Sequence, residues 1–250
     1  MPVFFINEKL EKGKIIEITG EDAHHISKVL RYEVGDIIEI SDGFFSSGEG
    51  KIEDIDYKKN VIKIKIIKEE IEKSTFPEIT LFQGIPKGQK FDLIIQKNVE
   101  IGVKRIVPVF TKRSIPRFEE EKIKSKIERW NKIAKEAAKQ CMRKDIPVVE
   151  MPLNFFQLID RINLFDAFLI PWENEKSMTL KDMMNKLKNS NARNIAVFIG
   201  PEGGFEEEEI IVCIKKGAIP LTLGKRILRT ETAGFVVNAV LMYELSDLGG

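Results

Sequence analysis

The stretch NIAVFIGPEGGF (194 to 205), followed further on by IPLTLGKRILRTETAG (219 to 234), decides how the rest of the chain is read. NIAVFI and IPLTL are apolar runs of strand length that each stop on a glycine, and EEEEIIVCIKK (206 to 216) between them has the apolar spacing of a helix. A strand, a helix and a second strand in that order predict neighbouring parallel strands. In such sheets ligands bind where loops leave the carboxyl ends of strands. In IGPEGG, Gly200, Gly203 and Gly204 remove side chains around the turn, so backbone polar groups can approach a ligand, and Pro201 stiffens it. In the second loop Gly224 stands beside Arg226 and Arg229, ahead of Thr230-Glu231-Thr232. Thr230 is placed as the N-cap of the next helix, with Glu231 in its first turn.

Both loops have plainer readings. A tight turn into a helix often carries glycine, and two surface arginines often form ion pairs worth about 0 to 1 kcal/mol. The combination at two strand ends favours a ligand site. Glu206 to Glu209 suit the positive end of a helix and would repel a pyrophosphate. The chain also lacks G-x-G-x-x-G and G-x-x-x-x-G-K-[ST]. The expected ligand is therefore neutral or cationic.

Upstream, the same alternation continues back to residue 79. Strands are expected at ITLFQGI (79 to 85), RIVPVF (105 to 110) and, after VVEMP (148 to 152), at DAFLIPW (166 to 172). Helices are expected at 90 to 101, 119 to 142, 154 to 162 and 179 to 189, and a last one at 230 to 248. The fold class is α/β with a mainly parallel sheet covered on both faces. Residues 14 to 67 have a different rhythm, with short strands at KIIEI (14 to 18), DIIEI (36 to 40), GKIEDID (50 to 56) and VIKIKII (61 to 67). Ile62, Ile64 and Ile66 alternate with Lys63 and Lys65, the mark of a strand with one wet face. SSGEG (46 to 50) reads as a loop, and 21 to 33 as one helix with Ala23, Ile26, Val29 and Leu30 on a single face. These features predict a small barrel-like module. The polar run at 68 to 78 marks a boundary, giving domains at 1–72 and 73–250.

At 250 residues the chain can bury a core without staples, so Cys141 and Cys213, with no ligand partners at metal spacing, read as reduced core thiols. No metal site is expected. No apolar run approaches the roughly 18 residues of a membrane span, and the N-terminus lacks a signal-peptide run, so a cytoplasmic protein is expected. The formal net charge of +1 excludes nothing, but twelve Lys or Arg stand against five Glu between Lys112 and Lys144. On the helix at 119 to 142, Ile123, Ile127, Trp130, Ala134, Ala137 and Cys141 form an apolar stripe, leaving Lys122, Lys126, Arg129, Lys132 and Lys139 outside. Such a face is more often merely solvated. With Arg113, Arg117 and Arg143 near in sequence it makes a candidate phosphate track.

IGPEGGF and LGKRILRTETA, with HHISKVLRYEVGD (24 to 36), KFDLIIQKNVEIGVKRIVPVFTKRS (90 to 114) and ERWNKIAKEAAKQCMRKDIPVV (128 to 149), resemble the RsmE family of SPOUT-class RNA methyltransferases. The resemblance covers nearly the whole chain. It implies a PUA-like RNA-binding β-barrel ahead of a SPOUT domain with a C-terminal trefoil knot. It further implies a homodimer that uses S-adenosylmethionine to methylate N3 of a specific uridine in 16S (small-subunit) ribosomal RNA, free or in the small ribosomal subunit. Carried onto this sequence, Ile170, Ile199, Gly200, Gly203, Leu223, Gly224, Ile227 and Leu228 would hold the cofactor. Lys225 stands where many relatives have Pro, and Met142 where a smaller residue is usual.

For the chemistry the resemblance implies, the uridine's pairing edge must be free, so the base is unpaired or drawn from its stack. Arg229, with Arg226, would stabilise charge on the uracil oxygens as the N3 proton leaves, and Glu231 or Glu202 would take the proton or orient an arginine. His24, His25, Lys28 and Arg31 form a second candidate RNA surface. Adjacent histidines on a helix cannot face one metal, and a packed histidine is their plain alternative; the resemblance favours RNA contact for His24 and Arg31. Two rival readings are a non-catalytic RNA-binding or ribosome-assembly factor on the same fold and a small-molecule methyltransferase.

Overall fold

A computed structural model of the chain describes residues 2–6, 8–44, 46–71, 76–114, 120–246 and 248. They form two compact units. One takes the described residues of 1–74 with Ala138–Ile146, the other those of 75–137 and 147–250.

In the first unit, β1 (Val3–Phe5), β2 (Ile15–Thr19), β3 (Ile37–Ser41), β4 (Ser46–Asp56) and β5 (Val61–Ile71) make one sheet in the order β1-β3-β4-β5-β2. β1 lies parallel to β3 and the other pairs are antiparallel. Alternate residues of these strands enter one core, and the period-two reading of β5 holds there. Ile62, Ile64 and Ile66 are at most 1 % exposed, each such burial stabilising by roughly 1.5 to 3 kcal/mol.

SSGEG is not a loop. It is the first half of β4, an eleven-residue strand. Its glycines serve close approach rather than a turn: a Cβ on Gly48 would fall 2.0 Å from the Lys68 carbonyl oxygen. The real turn precedes it, where Asp42 Oδ1 accepts from the N–H groups of Phe44 (2.8 Å) and Ser46 (3.0 Å).

The expected helix at 21 to 33 is also shorter and irregular. α1 (Gly20–His24) runs into a π-helical turn at His25–Val29, closed by the Leu30 N–H on the His25 carbonyl at 2.9 Å. The wider turn rotates later side chains away from the face that a 3.6-residue period assigns them. Ala23 and Ile26 are buried as expected, whereas Val29 (60 % exposed) and Leu30 (38 %) are not.

Segment Ala138–Ile146 joins this unit through Lys139 on Asp22 at 2.7 Å and the Ile146 N–H on the Gly43 carbonyl at 2.9 Å. Lys139 is therefore not an outward charge, as its helical position suggested. Met142 holds φ +59°, the left-handed position after a helix, where Gly or Asn is usual.

In the second unit, β6 (Glu78–Gly84), β7 (Arg105–Phe110), β8 (Val148–Val149), β10 (Ala167–Pro171), β11 (Asn194–Ile199) and β12 (Ile219–Leu221) lie in the order β12-β10-β11-β6-β7-β8, and β9 (Leu153–Asn154) also pairs with β7. All these pairs are parallel. The helices are α2 (Lys90–Glu100), α3 (Glu120–Gln140), α4 (Phe155–Ile159), α5 (Leu180–Lys188), α6 (Glu207–Lys215) and α7 (Thr230–Leu245). This is the expected alternation. Trp130, Ala134 and Ala137 of α3 are buried, Trp130 against Phe91 at 4.3 Å between ring centres, while Cys141 lies beyond the helix end. Among the described residues no helix is long and apolar enough to cross a membrane.

The order of strands determines where a ligand can enter. β7 and β8 lie to one side of β6, while β11, β10 and β12 lie to the other. The chain thus changes direction between β6 and β11, and a crevice opens at their carboxyl ends.

Candidate active site

Gly200 to Phe205 leave the end of β11, and Ile227 to Thr230 lead into α7. Together with Lys90, Pro171, Glu173 and Ala233 they line a cleft of about 440 Å³. Ile199, Gly200, Gly203, Ile227, Leu228 and Arg229, all anticipated from sequence, meet there. Ile170 does not line it, being fully buried in the core below, and neither do Leu223, Gly224, Arg226 or Glu231.

The glycine turn is tied down on several sides. The Thr230 hydroxyl donates to the Gly200 carbonyl at 2.6 Å and accepts from Gln83 Nε2 at 2.8 Å. Arg113 Nη1 donates to the Gly203 carbonyl at 2.6 Å, and its Nε to Glu206 at 2.9 Å. The Gly204 N–H closes onto the Pro201 carbonyl at 2.9 Å. Thr230 is not the N-cap of α7, as its hydroxyl suggested; Arg229 occupies that position, and the threonine is the first helical residue. Its oxygen is engaged with the turn instead.

The charges at one side of the cleft were only partly foreseen. Lys90 Nζ lies 2.9 Å from Glu202 Oε1 and 3.8 Å from Glu231 Oε2, and the Lys87 N–H donates to the Glu202 carboxylate at 3.2 Å. The Glu202 bond holds the Lys90 ammonium above its usual pKa; desolvation opposes this, Glu231 assists, and Arg229 opposes. Burial pushes the Glu202 carboxyl up, but Lys90 and the backbone N–H groups of Glu202 and Lys87 outweigh it and hold it below the carboxylate range. Glu231 is different: its Oε2 is buried with no hydrogen-bond partner among the described residues. Arg226 and Arg229 are exposed and carry no ion pair among those residues.

Sequence reading missed Lys90, Gln83 and Glu173. Lys90 looks like one more charge at a helix start, and Gln83 like a polar slip inside an apolar strand. That slip was the available signal, because a fully buried amide needs partners.

The residues anticipated for nucleic-acid contact fall in both units. His24 and Arg31 are exposed in the first, Arg31 at φ +57°. Arg143, also in the first, is 13 % exposed and donates to Asp145 Oδ2 at 2.7 Å. Arg113, in the second, is the tether of the glycine turn. Arg117 lies outside the described residues. No group of three His, Cys, Asp or Glu able to hold a metal occurs among the described residues.

The family model for an RNA methyltransferase domain matches residues 72–242, and that for an RNA methyltransferase PUA domain matches residues 18–65. The chain is 36 % identical to the ribosomal RNA small subunit methyltransferase E of Buchnera aphidicola subsp. Acyrthosiphon pisum, over 99 % of this chain and 95 % of the relative. It is 33 % identical to the protein of that name from Bacillus subtilis, over 97 % and 95 %. Among solved structures, the Neisseria gonorrhoeae ribosomal RNA small subunit methyltransferase E bound to S-adenosyl methionine superposes with a TM-score of 0.83 at 28 % identity, covering 97 % of each chain.

Proposed function

The chain belongs to the ribosomal RNA small subunit methyltransferase E family, and on that premise we propose that it transfers a methyl group from S-adenosylmethionine to N3 of a specific uridine in 16S ribosomal RNA. The observation that carries the proposal is the cleft itself, whose lining brings an exposed arginine with no ion pair among the described residues together with a turn that holds three glycines.

The cleft suits the donor. Ile199, Phe205, Leu228 and Ala233 offer apolar surface to a purine, the glycines offer backbone groups, and Glu173 and Glu202 offer negative charge to a cationic sulfonium. Leu223 and Gly224 would complete the pocket through backbone groups, and Ile170 as its buried floor. When bound, the cofactor supplies an electrophilic methyl carbon.

The rest of the work belongs to the chain's own side chains. Arg229 stabilises the negative charge that develops on the uracil oxygens as N3 loses its proton, and Lys90 adds a second cation at the same wall. Arg226, exposed three residues earlier on the same loop, would add its charge to theirs. Glu202 is committed to Lys90 and to the Lys87 N–H, so Glu231 is the better candidate to orient Lys90 or to receive the proton.

RNA is held by the PUA-like module through His24 and Arg31, and by Arg143 and Arg113. Two further features of the reading are a trefoil knot and a homodimer. The knot is supported by the path of the chain: β11 enters between β10 and β6, which precede it, and α7 returns from the sheet edge to pack on α2 and β6. The dimer is supported by Phe235 and Tyr243, two turns apart on α7, which are 36 % and 62 % exposed. A cytoplasmic location follows from the substrate.

The test is to incubate the protein with labelled S-adenosylmethionine and either unmodified small subunits or free 16S RNA, then map the modified nucleotide by mass spectrometry. A single N3-methyluridine is expected. Label on another atom or base, or none in RNA while the donor binds, would overturn the assignment.

A further inference from the structure

Three oxygens surround the side-chain nitrogen of Gln83. They are Thr230 Oγ1 at 2.8 Å, the Gly84 carbonyl at 3.0 Å and the Gly200 carbonyl at 3.4 Å. An amide oxygen in that place would lie against two carbonyl oxygens, so the surroundings fix which way the amide points. Because Gln83 donates to Thr230, the threonine proton is free to reach the Gly200 carbonyl, which it does at 2.6 Å. Gln83 is fully buried and Thr230 is 6 % exposed, so water does not compete for these bonds.

The three residues sit on different elements. Gln83 is on β6, Gly200 follows β11 and Thr230 opens α7. β6 also ends close beneath the turn, where a Cβ on Gly84 would lie 2.6 Å from Cδ and N of Pro201. The glycine turn and the residue that follows Arg229 are therefore fastened to one strand and to each other. The Arg229 guanidinium has no partner of its own among the described residues, so the backbone at Thr230 is what sets its distance from the turn.

We infer that Gln83 and Thr230 are positioning residues for methyl transfer, the relay from Gln83 amide to Thr230 hydroxyl to Gly200 carbonyl fixing the spacing between the cofactor turn and Arg229. The inference rests on the function proposed above. Neither side chain touches the reacting atoms; both act through Gly200 and Arg229. A displacement of about 1 Å at a reacting centre costs about a hundredfold in rate, far more than the same shift costs in cofactor affinity.

Thr230→Val keeps shape and removes the hydroxyl, Thr230→Ser keeps the hydroxyl, and Gln83→Met removes the amide at similar length. Each purified full-length variant is compared with wild type for cofactor Kd by calorimetry, for kcat at saturating donor and RNA, and for Tm. Thr230→Val is expected to lower kcat by about 10- to 100-fold with a smaller change in Kd, and Thr230→Ser to recover it to within about threefold of wild type. Gln83→Met should resemble Thr230→Val, and the double variant should be no slower than the slower single, since both break one relay.

A kcat for Thr230→Val within about twofold of wild type overturns the inference, as does a Thr230→Ser variant equally slow. A kcat loss that follows Tm and vanishes on cooling also overturns it. Should Gln83→Met fail to fold, the two threonine variants decide alone. Wild-type protein that binds no S-adenosylmethionine overturns the underlying function and the inference with it, whereas active wild type with unimpaired variants overturns the inference alone.

Discussion

The turn at Gly200–Gly204 and the loop at Leu223–Arg229 flank the same cleft but are secured differently. In the turn, Gly200 and Gly203 have their carbonyls bonded by Thr230 and Arg113, and Glu202 is held by Lys90 and the Lys87 N–H. In the loop, the Gly224 N–H reaches Thr222 Oγ1 at 3.2 Å, but Arg226 and Arg229 are exposed and Ile227 is 88 % exposed. A turn fixed in advance offers backbone groups at no cost in reorganisation, which suits a small ligand that always binds the same way. Cations without protein partners keep their full attraction for charge that arrives with a substrate. On the proposed function, this difference suits the turn to the cofactor and the exposed guanidinium groups of the loop to the RNA base.

The strongest way to break this division is Arg229→Ala. Turnover should fall by about 10²- to 10³-fold, as when one oxyanion donor is removed, with cofactor Kd nearly unchanged. Single-turnover kinetics and calorimetry measure the two separately, and an equal loss in both would mean that Arg229 also serves the cofactor.

Gly84→Ala attacks the other side. Its Cβ would press on Pro201, so stability should drop by about 1 to 3 kcal/mol, seen in chemical denaturation, and cofactor affinity should fall with it.

Arg113→Ala sharpens the comparison, because Arg113, an RNA contact by sequence pattern, is bonded to the glycine turn. With a side chain 42 % exposed, its bonds are weakened by solvent, and their loss should raise cofactor Kd only about a few-fold. If it also meets a phosphate, the slope of log K for RNA against log salt should shrink by about 0.7 to 0.9.

The smallest effect is expected at Glu175. Its Oε1 accepts from the Ser177 hydroxyl and from the N–H groups of Lys176, Ser177 and Met178, and the Met178 carbonyl in turn accepts from the Thr222 N–H at the base of the exposed loop. The Ser177 hydroxyl, then these N–H groups, hold its pKa at about 2, against 4.5 ordinarily. A depressed carboxylate stabilises the fold above pH 4.5 and loses that contribution as pH falls towards 2. Glu175→Gln should therefore be slightly less stable than wild type above pH 4.5, with the two denaturation midpoints converging near pH 2.

Much of this architecture was legible because it depends on local repetition. The apolar runs of β6, β7, β10 and β11 and the helices between them announce a parallel sheet, and the glycines and arginines at two strand ends announce a site there. Errors arose where a residue's partner is distant in sequence. SSGEG looks like a loop because glycine usually serves turns, yet Gly48 is required by the Lys68 backbone twenty positions away. Thr230 looks like a cap because capping is a local habit, yet its hydroxyl is used by Gly200. Lys139 looks solvated on a helical wheel, yet it meets Asp22. A π-helical turn upset the face assigned to Val29 and Leu30, since a period of 3.6 carries no warning of a wider one.

The sequence by itself determined the kinds of group available: glycines free of side chains, guanidinium groups at a strand end, a glutamine within an apolar run, and glutamates where a phosphate site would need their absence. Only the tertiary structure decided which of them meet. Placing β11 beside β6 puts Gly200, Gln83 and Thr230 within hydrogen-bond reach, and sets Lys90 between Glu202 and Glu231. Hydrogen bonds act over about 3 Å, and residues separated by more than a hundred positions come that close only when strand order brings their backbones together.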